Sequence, residues 1–152
     1  MTGMIRQFRP EDASSCCRLV HACLDEDSSL APSLKRKIQA SETPQTMIER
    51  SGLFYVAVYE AEGRVEGLVG LDLNEIRLLF VSPDRQRRGI GRILLEHAKS
   101  FVPGSLFADI FVYSSPQAAA FYRACGFLEQ GPFDFRLEEE RLHTVFMTFL
   151  TG

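Results

Sequence analysis

The order of apolar and polar residues at the start of the chain predicts one strand and then a run of helices. Residues 4–9 (MIRQFR) have the composition of a short strand, and Pro10, followed by two acidic residues, marks the start of a helix over about 11–25. In the polar stretch that follows, Pro32 opens one helical segment and Thr43-Pro44 opens another. A strand and three helical segments are therefore expected before residue 52.

Three consecutive strands come next, each rich in β-branched and aromatic residues. Residues 53–60 (LFYVAVYE) and 64–73 (RVEGLVGLDL) flank Glu62-Gly63, a pair that is typical of a hairpin turn. A third strand over Ile76–Val81 ends at Ser82-Pro83.

After the third strand the apolar positions change to a helical period, over the segment RQRRGIGRILLEHAKSF. A strand over 106–113 follows, then a helix from Ser115 through Ala124, and then two strands over about 127–136 and 142–150. Gly126 stands where the glycine that ends a helix is expected.

This order of elements predicts an α+β fold of α/β/α layers, with a mixed, mostly antiparallel central sheet flanked by helices. The strands on either side of the central helix, 76–81 and 106–113, are able to pair in parallel through a crossover connection. With 152 residues, 45% of them hydrophobic, the chain has the size of one domain spanning residues 1–152.

Charge and composition narrow the classes of partner. A formal net charge of −3 and a pI near 5.6 make a nucleic-acid partner unexpected, because binding to phosphate backbones depends on clustered Lys and Arg. The N-terminal residues lack the apolar run of a secretory signal, and no window approaches the roughly 20 apolar residues that span a bilayer. We therefore expect a cytoplasmic protein with no membrane partner.

The cysteines and histidines indicate no metal site. The four cysteines lack a CxxC spacing and the three histidines are scattered, so we expect reduced thiols and no bound metal. The cysteines are Cys16, Cys17, Cys23 and Cys125.

The most informative segment is Val81–Arg92 (VSPDRQRRGIGR), a strand, a short turn and the start of a helix. Unpaired N–H groups of a first helical turn form an anion site, and glycines leave room for an approaching phosphate. If the GxG spacing is taken alone, a tight strand-to-helix turn whose arginines point into solvent explains it equally well. The spacing fits neither a Rossmann GxGxxG motif nor a P-loop.

Two motifs in this order resemble the GCN5-related N-acetyltransferase (GNAT) family. Gln86–Gly91 (QRRGIG) is similar to the family's Q/R-x-x-G-x-G/A motif, and Ser115–Phe127 is similar to its fourth helix, SPxAxxFYxxxGF. The opening IRQFRPEDA also resembles the family's first strand and helix.

The resemblance implies an N-acetyltransferase that moves an acetyl group from acetyl-CoA directly to a primary amine in a ternary complex, without a metal. Coenzyme A is expected in a cleft between two parallel central strands, with pantetheine along the strand edge and pyrophosphate on the glycine turn. The binding residues that the resemblance implies are Leu79, Val81, Gln86, Arg87, Arg88, Gly89, Gly91, Arg92, Ser115 and Tyr122.

Two catalytic residues are expected. Tyr122 matches the family's general acid, although an aromatic core residue whose hydroxyl reaches solvent explains it too. Glu75 is the candidate base, acting through water; an exposed glutamate at a strand start is the alternative. Two-residue alternation places Glu75 and Arg77 on the side of Leu79 and Val81, where Arg77 is expected to lower the pKa of Glu75.

One residue departs from the family pattern. Tyr113 stands where many relatives carry an asparagine that binds pantetheine, so a non-catalytic acyl-CoA-binding or sensory module is the alternative function. His97 is expected to pack and Glu138–Arg141 to form a solvated turn. The acceptor is expected to be a small-molecule or peptide amine, held by residues 25–52 and 128–145, and the chain is expected to be a monomer or a homodimer.

Overall fold

A computed structural model describes residues 3–152 and has a seven-stranded mixed sheet with helices on both faces. The strands are β1 (Met4–Gln7), β2 (Tyr55–Ala61), β3 (Arg64–Asp72), β4 (Glu75–Val81), β5 (Asp109–Ser114), β6 (Leu128–Leu137) and β7 (Glu140–Leu150). The helices are α1 (Ala13–Glu26), α2 (Pro32–Ser41), α3 (Pro44–Ser51), α4 (Ile90–Lys99) and α5 (Ala119–Ala124).

The strand order in the sheet is β1-β2-β3-β4-β5-β7-β6. Every neighbouring pair is antiparallel except β4 and β5, which are parallel and joined by a crossover through α4. The expected α+β fold and its parallel central pair are therefore confirmed.

Local signals in the sequence set most of the element ends. Thr43 begins α3 by accepting a hydrogen bond from the Thr46 amide at 3.1 Å. Glu62 and Gly63 both have positive φ, as a two-residue hairpin turn requires, and Gly126 ends α5 with φ 92°.

Two expected bounds were wrong by three residues or more, and others differ by at most two. The last helix begins at Ala119 instead of Ser115, because the Ser115 hydroxyl accepts the Ala118 amide at 3.2 Å and holds a turn there. Strand β5 begins at Asp109 instead of residue 106, because the amides of Leu106 and Phe107 bond back to Pro103 in a turn.

The sheet has a hydrophobic core on each face. One core lies under α4 and α5 and includes Leu94, Leu95, Ile110 and Met147. The other lies under α1 and α3 against β2–β4 and includes Met47 and Val58. Packing on both faces fixes the position of β4, which contributes side chains to both cores.

A charged network ties β1 and β2 to the start of α1. Arg6 donates two hydrogen bonds to the Asp12 carboxylate, at 2.8 and 2.9 Å, and one to Glu60 at 2.7 Å. Asp12 also accepts the Arg9 amide, and these bonds hold its pKa below the ordinary value.

Candidate active site

The candidate site is a cleft that opens where β4 and β5 separate. The two strands pair only at Glu75↔Phe111 and Ile76↔Val112, and no register continues beyond that point. The cause lies in β4, because Arg77 forms a bulge: Leu71 of β3 pairs with Ile76, and the next residue, Gly70, pairs with Leu78. A bulge bends its strand, so β4 turns away from β5.

The bulge also changes which way the side chains of β4 point. Ile76, Leu79 and Val81 pack toward α4 and α5, whereas Leu78 and Phe80 pack toward α1 and α3. The expectation that Glu75 shares a side with Leu79 and Val81 was therefore wrong, because alternation is interrupted at the extra residue.

Beyond the bulge, the backbone of β4 offers unpaired groups to the cleft. The Ser82 amide bonds to the Glu66 carbonyl at 2.8 Å, which fixes the antiparallel hydrogen-bond phase between β3 and β4. In that phase the N–H and C=O groups of Phe80 form hydrogen bonds with β3. The N–H and C=O groups of Leu79 and Val81 point away from β3. Because β5 has separated, these groups face the gap.

The glycine turn lies at the mouth of the same gap. Gly89 precedes α4 with φ 85°, and Arg87 also has a positive φ, of 65°. A turn of this kind leaves the first amides of a ten-residue helix free to bind an anion. A Cβ at Gly89 would meet nothing within 4 Å, so the space in front of the turn is open.

Gly91 has a different function from Gly89. A Cβ on Gly91 would lie 3.2 Å from the Phe121 ring, so this glycine allows α4 and α5 to approach each other closely. The Arg92 guanidinium reinforces that contact by donating to the Ala124 carbonyl at 3.2 Å.

The cleft has a volume of about 860 Å³, in the range of small-molecule and cofactor sites. Nine of the ten expected binding residues line it; they are Leu79, Val81, Gln86, Arg87, Gly89, Gly91, Arg92, Ser115 and Tyr122. Arg88 instead lines a smaller recess with Arg85 and Glu66. The left-handed backbone at Arg87 turns the chain, so the two consecutive arginine side chains diverge.

The end of α1 forms a wall of the cleft that the sequence did not indicate. Cys23, Glu26 and Asp27 line it, together with Gln117 from the loop after β5. The Gln117 side chain accepts the Ser28 amide at 2.9 Å and donates to the Glu26 carbonyl at 3.4 Å. This pair of bonds joins the segment after α1 to the far side of the cleft.

The carbonyl of Val81 already has two donors within the protein. The Cys23 thiol donates to it at 3.1 Å and the Gln86 side chain at 3.0 Å. Burial raises the pKa of Cys23 to about 11, so the thiol keeps its proton at neutral pH. Gln86 therefore acts on the strand edge, and the Val81 amide remains without a strand partner.

Tyr122 projects from α5 into the cleft from the core side. Its side chain is buried against Phe121 and Phe127, and within residues 3–152 no group makes a hydrogen bond to its hydroxyl. Burial raises the pKa of the phenol, which therefore stays protonated at neutral pH. A protonated hydroxyl at a cleft wall is able to donate a hydrogen bond to a bound group.

Glu75 lies at the closed end of the gap and does not line the cleft. It pairs with Phe111 in the parallel register, so both side chains point to the sheet face that α4 and α5 do not cover. The pKa of Glu75 is raised because its burial outweighs the attraction of Arg77, which lies 4.0 Å away. Arg77 does lower the pKa of Glu75, as expected, but burial and the charge of Asp72 raise it by more.

Three other residues of interest lie outside the cleft. Tyr113 packs among phenylalanine rings on the outer face of the sheet. His97 bonds to the Tyr55 hydroxyl at 2.8 Å, which confirms its packing role, and burial lowers its pKa. His143 is exposed and bonds to Asp134 at 2.9 Å.

Within residues 3–152, no group of three His, Cys, Asp or Glu side chains is arranged to hold a metal ion. The four cysteines are free thiols. In the same part of the chain, no helix is long and apolar enough to cross a membrane.

Comparison with known proteins identifies the fold and the family. A GCN5-related N-acetyltransferase from Rhodopseudomonas palustris superposes with a TM-score of 0.90 at 19% identity, over 99% of this chain and 96% of that one. The PaiA N-acetyltransferase of Thermoplasma acidophilum, in complex with coenzyme A, gives 0.78 at 16% identity, over 99% of both chains.

A third structure, YncA from Salmonella typhimurium with its cofactor acetyl-CoA, gives a TM-score of 0.69 at 16% identity, over 100% of this chain and 95% of that one. At these identities the structures show a shared fold. The sequence model of the acetyltransferase (GNAT) domain matches residues 23–148, which is most of the chain. This protein therefore belongs to the GNAT family of acetyltransferases.

Proposed function

We propose that this protein transfers the acetyl group of acetyl-CoA directly to a primary amine, with both substrates bound at once. The observation that carries the proposal is the separation of β4 from β5, which leaves the backbone groups of Leu79 and the amide of Val81 without a strand partner beside a glycine turn. An extended amide-containing chain that ends in phosphates complements that arrangement: the strand edge pairs with amides, and the helix start binds anions. Pantetheine and pyrophosphate have this chemistry.

The thioester carbonyl would lie near Val81 in this arrangement. When the amine nitrogen attacks, negative charge develops on the carbonyl oxygen, and a fixed backbone amide stabilises it without reorganisation. The Val81 amide is such a donor, and Gln86 and Cys23 fix its orientation by bonding to the carbonyl of the same residue.

Tyr122 assists the departing thiolate as the carbon–sulfur bond breaks. Its raised pKa lies above the value of about 8.5 that is usual for a thiol, so complete proton transfer to sulfur is uphill. A hydrogen bond that strengthens as charge appears on sulfur is the contribution that suits a buried phenol.

Glu75 is proposed as the base that receives the amine proton through a chain of water molecules, because it lies at the start of β4 and Val81 at its end. Its raised pKa favours this function, because a base whose pKa is closer to the working pH accepts a proton more readily. Because Glu75 lies on the sheet face that α4 and α5 do not cover, the amine must reach the site from that face.

The proposal is tested by calorimetric titration with acetyl-CoA, together with an assay of thiol release over a panel of amines. Saturable binding and amine-dependent thiol release are expected. Binding without turnover across polyamines, peptides, aminoglycosides and amino acids would instead support the non-catalytic acyl-CoA-binding module. Binding of ATP or NAD in preference to acetyl-CoA would contradict both.

A further inference from the structure

Five aromatic rings form a continuous surface on the outer face of β5, β7 and β6, which we call the aromatic platform. Tyr113 is at its centre, with ring centroids of three neighbours at 5.1 Å and of a fourth at 5.9 Å. The members are Phe111, Tyr113, Phe133, Phe135 and Phe146. The registers Tyr113↔Phe146 and Phe133↔Thr144 put all five on one side of the sheet.

The platform is not part of the protein's own core. None of its five rings belongs to either hydrophobic core cluster, although the strands that carry them supply Ile110, Val112 and Met147 to the core on the opposite face. Phe133 and Phe135 are 45% and 37% exposed. Contiguous exposed aromatic surface of this kind marks a binding site.

Two features of the structure bound the platform. On the β4 side, Glu75 pairs in register with Phe111 and so lies beside the rings, next to the place where the cleft opens. At the far end of the β6–β7 hairpin, α2 is tethered across the same face. Lys37 forms ion pairs with Glu138 at 3.1 Å and Glu140 at 3.0 Å, and the Ser33 hydroxyl bonds to Glu140.

The expected solvated turn at Glu138–Arg141 is therefore an anchor for α2. The tether bounds the platform at one end, and on its β5 side the platform borders the gap between β4 and β5, which favours the acceptor of the proposed reaction over a second protein chain as its occupant.

The polar groups beside the rings restrict what the aromatic platform can bind. The Thr144 hydroxyl is committed to the Phe133 carbonyl, and the Thr148 hydroxyl accepts from Gln130 at 2.9 Å. The carboxylate at the edge is Glu75. Polyamines and aminoglycosides carry several cationic or hydroxyl groups, each of which needs a polar partner when it is desolvated, and the five rings supply only the Tyr113 hydroxyl.

We propose that the aromatic platform selects an acceptor whose primary amine is carried on an aromatic body. The ring of the acceptor stacks on Tyr113, Phe133 and Phe135, and its amine points across the edge of β5 into the gap, toward the thioester. This inference rests on the proposed acetyl transfer, because it names the substrate class of the same site.

The test compares 2-phenylethylamine, n-butylamine and spermidine as acceptors at saturating acetyl-CoA. In wild type, kcat/KM for 2-phenylethylamine should exceed that for n-butylamine by about tenfold or more, in line with the roughly 10- to 200-fold that apolar pocket contacts provide. Phe133→Ala and Phe135→Ala should remove most of that preference while leaving the n-butylamine rate near wild type. Leu128→Ala, an exposed apolar residue of the same strand, is the matched control and should keep the preference.

Binding of 2-phenylethylamine to the coenzyme-A-saturated protein, measured by calorimetry, does not require turnover. Binding that is lost in Phe133→Ala supports the platform even if no amine is acetylated. The absence of acetylation would contradict the proposed function and leave the platform standing. Acetylation with spermidine preferred, or equal use of both monoamines, would overturn the platform and leave acetyl transfer standing. A dimer in sedimentation that Phe133→Ala dissociates would also overturn it, because a second copy would then cover the rings.

Discussion

At the residue scale, burial raises the pKa of both candidate catalytic groups, and the consequence differs between an acid and a base. The raised pKa of Tyr122 keeps a donor protonated, whereas the raised pKa of Glu75 makes a carboxylate a stronger base. Each shift favours the function assigned to that residue. Removing each group should therefore affect the chemical step and leave acetyl-CoA binding unchanged.

Tyr122→Phe should slow turnover by about 10²-fold, near the lower limit for general acid catalysis, because a thiol is already a fair leaving group. The ring and its packing are retained, so stability and the Kd for acetyl-CoA should hardly change. The measurement is kcat with the best amine, alongside calorimetric binding. Tyr59→Phe, which removes a hydroxyl outside both the cleft and the aromatic platform, is the control and should stay near wild type. Full activity in Tyr122→Phe would leave Tyr122 as a packing residue.

Glu75→Gln should alter the pH dependence of kcat. The base works only when ionised, so wild-type activity should fall as the pH drops through the Glu75 pKa, which lies above its ordinary value of 4.5. The variant should lack this acidic limb and lose about 10²- to 10⁴-fold in kcat.

Asp72→Asn, which removes the other carboxylate near Arg77, is the control for Glu75→Gln and should keep the acidic limb, moved to lower pH because the charge of Asp72 raises the pKa of Glu75. An unchanged rate and pH profile in Glu75→Gln would exclude the glutamate as the base.

At the element scale, the site is built from the ends of elements. The bulge at Arg77 separates β4 from β5, and the close contact of Gly91 with Phe121 brings α5 beside α4. Gly89 alone keeps the space before the helix start open. The two glycines of one motif therefore have separable functions. A substitution at Gly89 should mainly weaken acetyl-CoA binding, whereas one at Gly91 should mainly lower stability.

Gly89→Glu should weaken acetyl-CoA binding at least about tenfold, or 1.4 kcal/mol, because it places a negative charge where the pyrophosphate is proposed to bind. Gly63→Glu is a close control for backbone strain. Gly63 also has a positive φ, of 74°, and a Cβ there would meet nothing within 4 Å, but it lies in the β2–β3 turn. Both variants should lose similar stability, and only Gly89→Glu should lose affinity. Equal Kd values for the two would remove the glycine turn from the binding site.

At the scale of the whole molecule, the Arg6 network holds the edge of the sheet to the first helix. Asp12→Ala leaves Arg6 partly buried without its main partner and should lower the free energy of unfolding by about 3 kcal/mol. Asp72→Ala breaks the exposed pair with Arg77 and should cost less than about 1 kcal/mol. Urea denaturation at pH 7 measures both changes, and similar values for the two would show that the network contributes little.

The Arg6–Asp12 pair also predicts that the stability of the fold depends on pH in the acid range. Asp12 has a lower pKa in the folded state than in the unfolded state, so its contribution is present above about pH 4 and is lost as the pH falls through the folded value. As the pH falls below about 4, the free energy of unfolding of Asp12→Ala should therefore decrease less than that of wild type.

Residues with a strong local signal were predicted well from the sequence. Pro32, Thr43 and Gly126 marked helix ends because their effects are local, and the motif around Gly89 indicated the lining of the cleft. The bulge at Arg77 was not predicted, because it depends on how β4 pairs with β3 and no glycine or proline marks it.

Contacts between distant segments were also missed. Cys23 and Gln117 join the cleft from segments far apart in the chain, and neither has a local pattern that indicates it. The region 128–145 was expected to shape the acceptor site, but the aromatic platform became visible only once β6 and β7 were paired beside Tyr113.

The most direct test of the central claim is the exchange of backbone amide protons along β4, measured by NMR with and without acetyl-CoA. In the free protein, Leu78 and Phe80 should exchange slowly because they bond to β3, whereas Leu79 and Val81 should exchange quickly because they face the gap. Saturating acetyl-CoA should slow exchange at Leu79 or Val81 and at the start of α4, with no change in β1 or β2. Unchanged exchange at these amides under saturation, or protection confined to another part of the sheet, would contradict the cleft between β4 and β5 as the acetyl-CoA site.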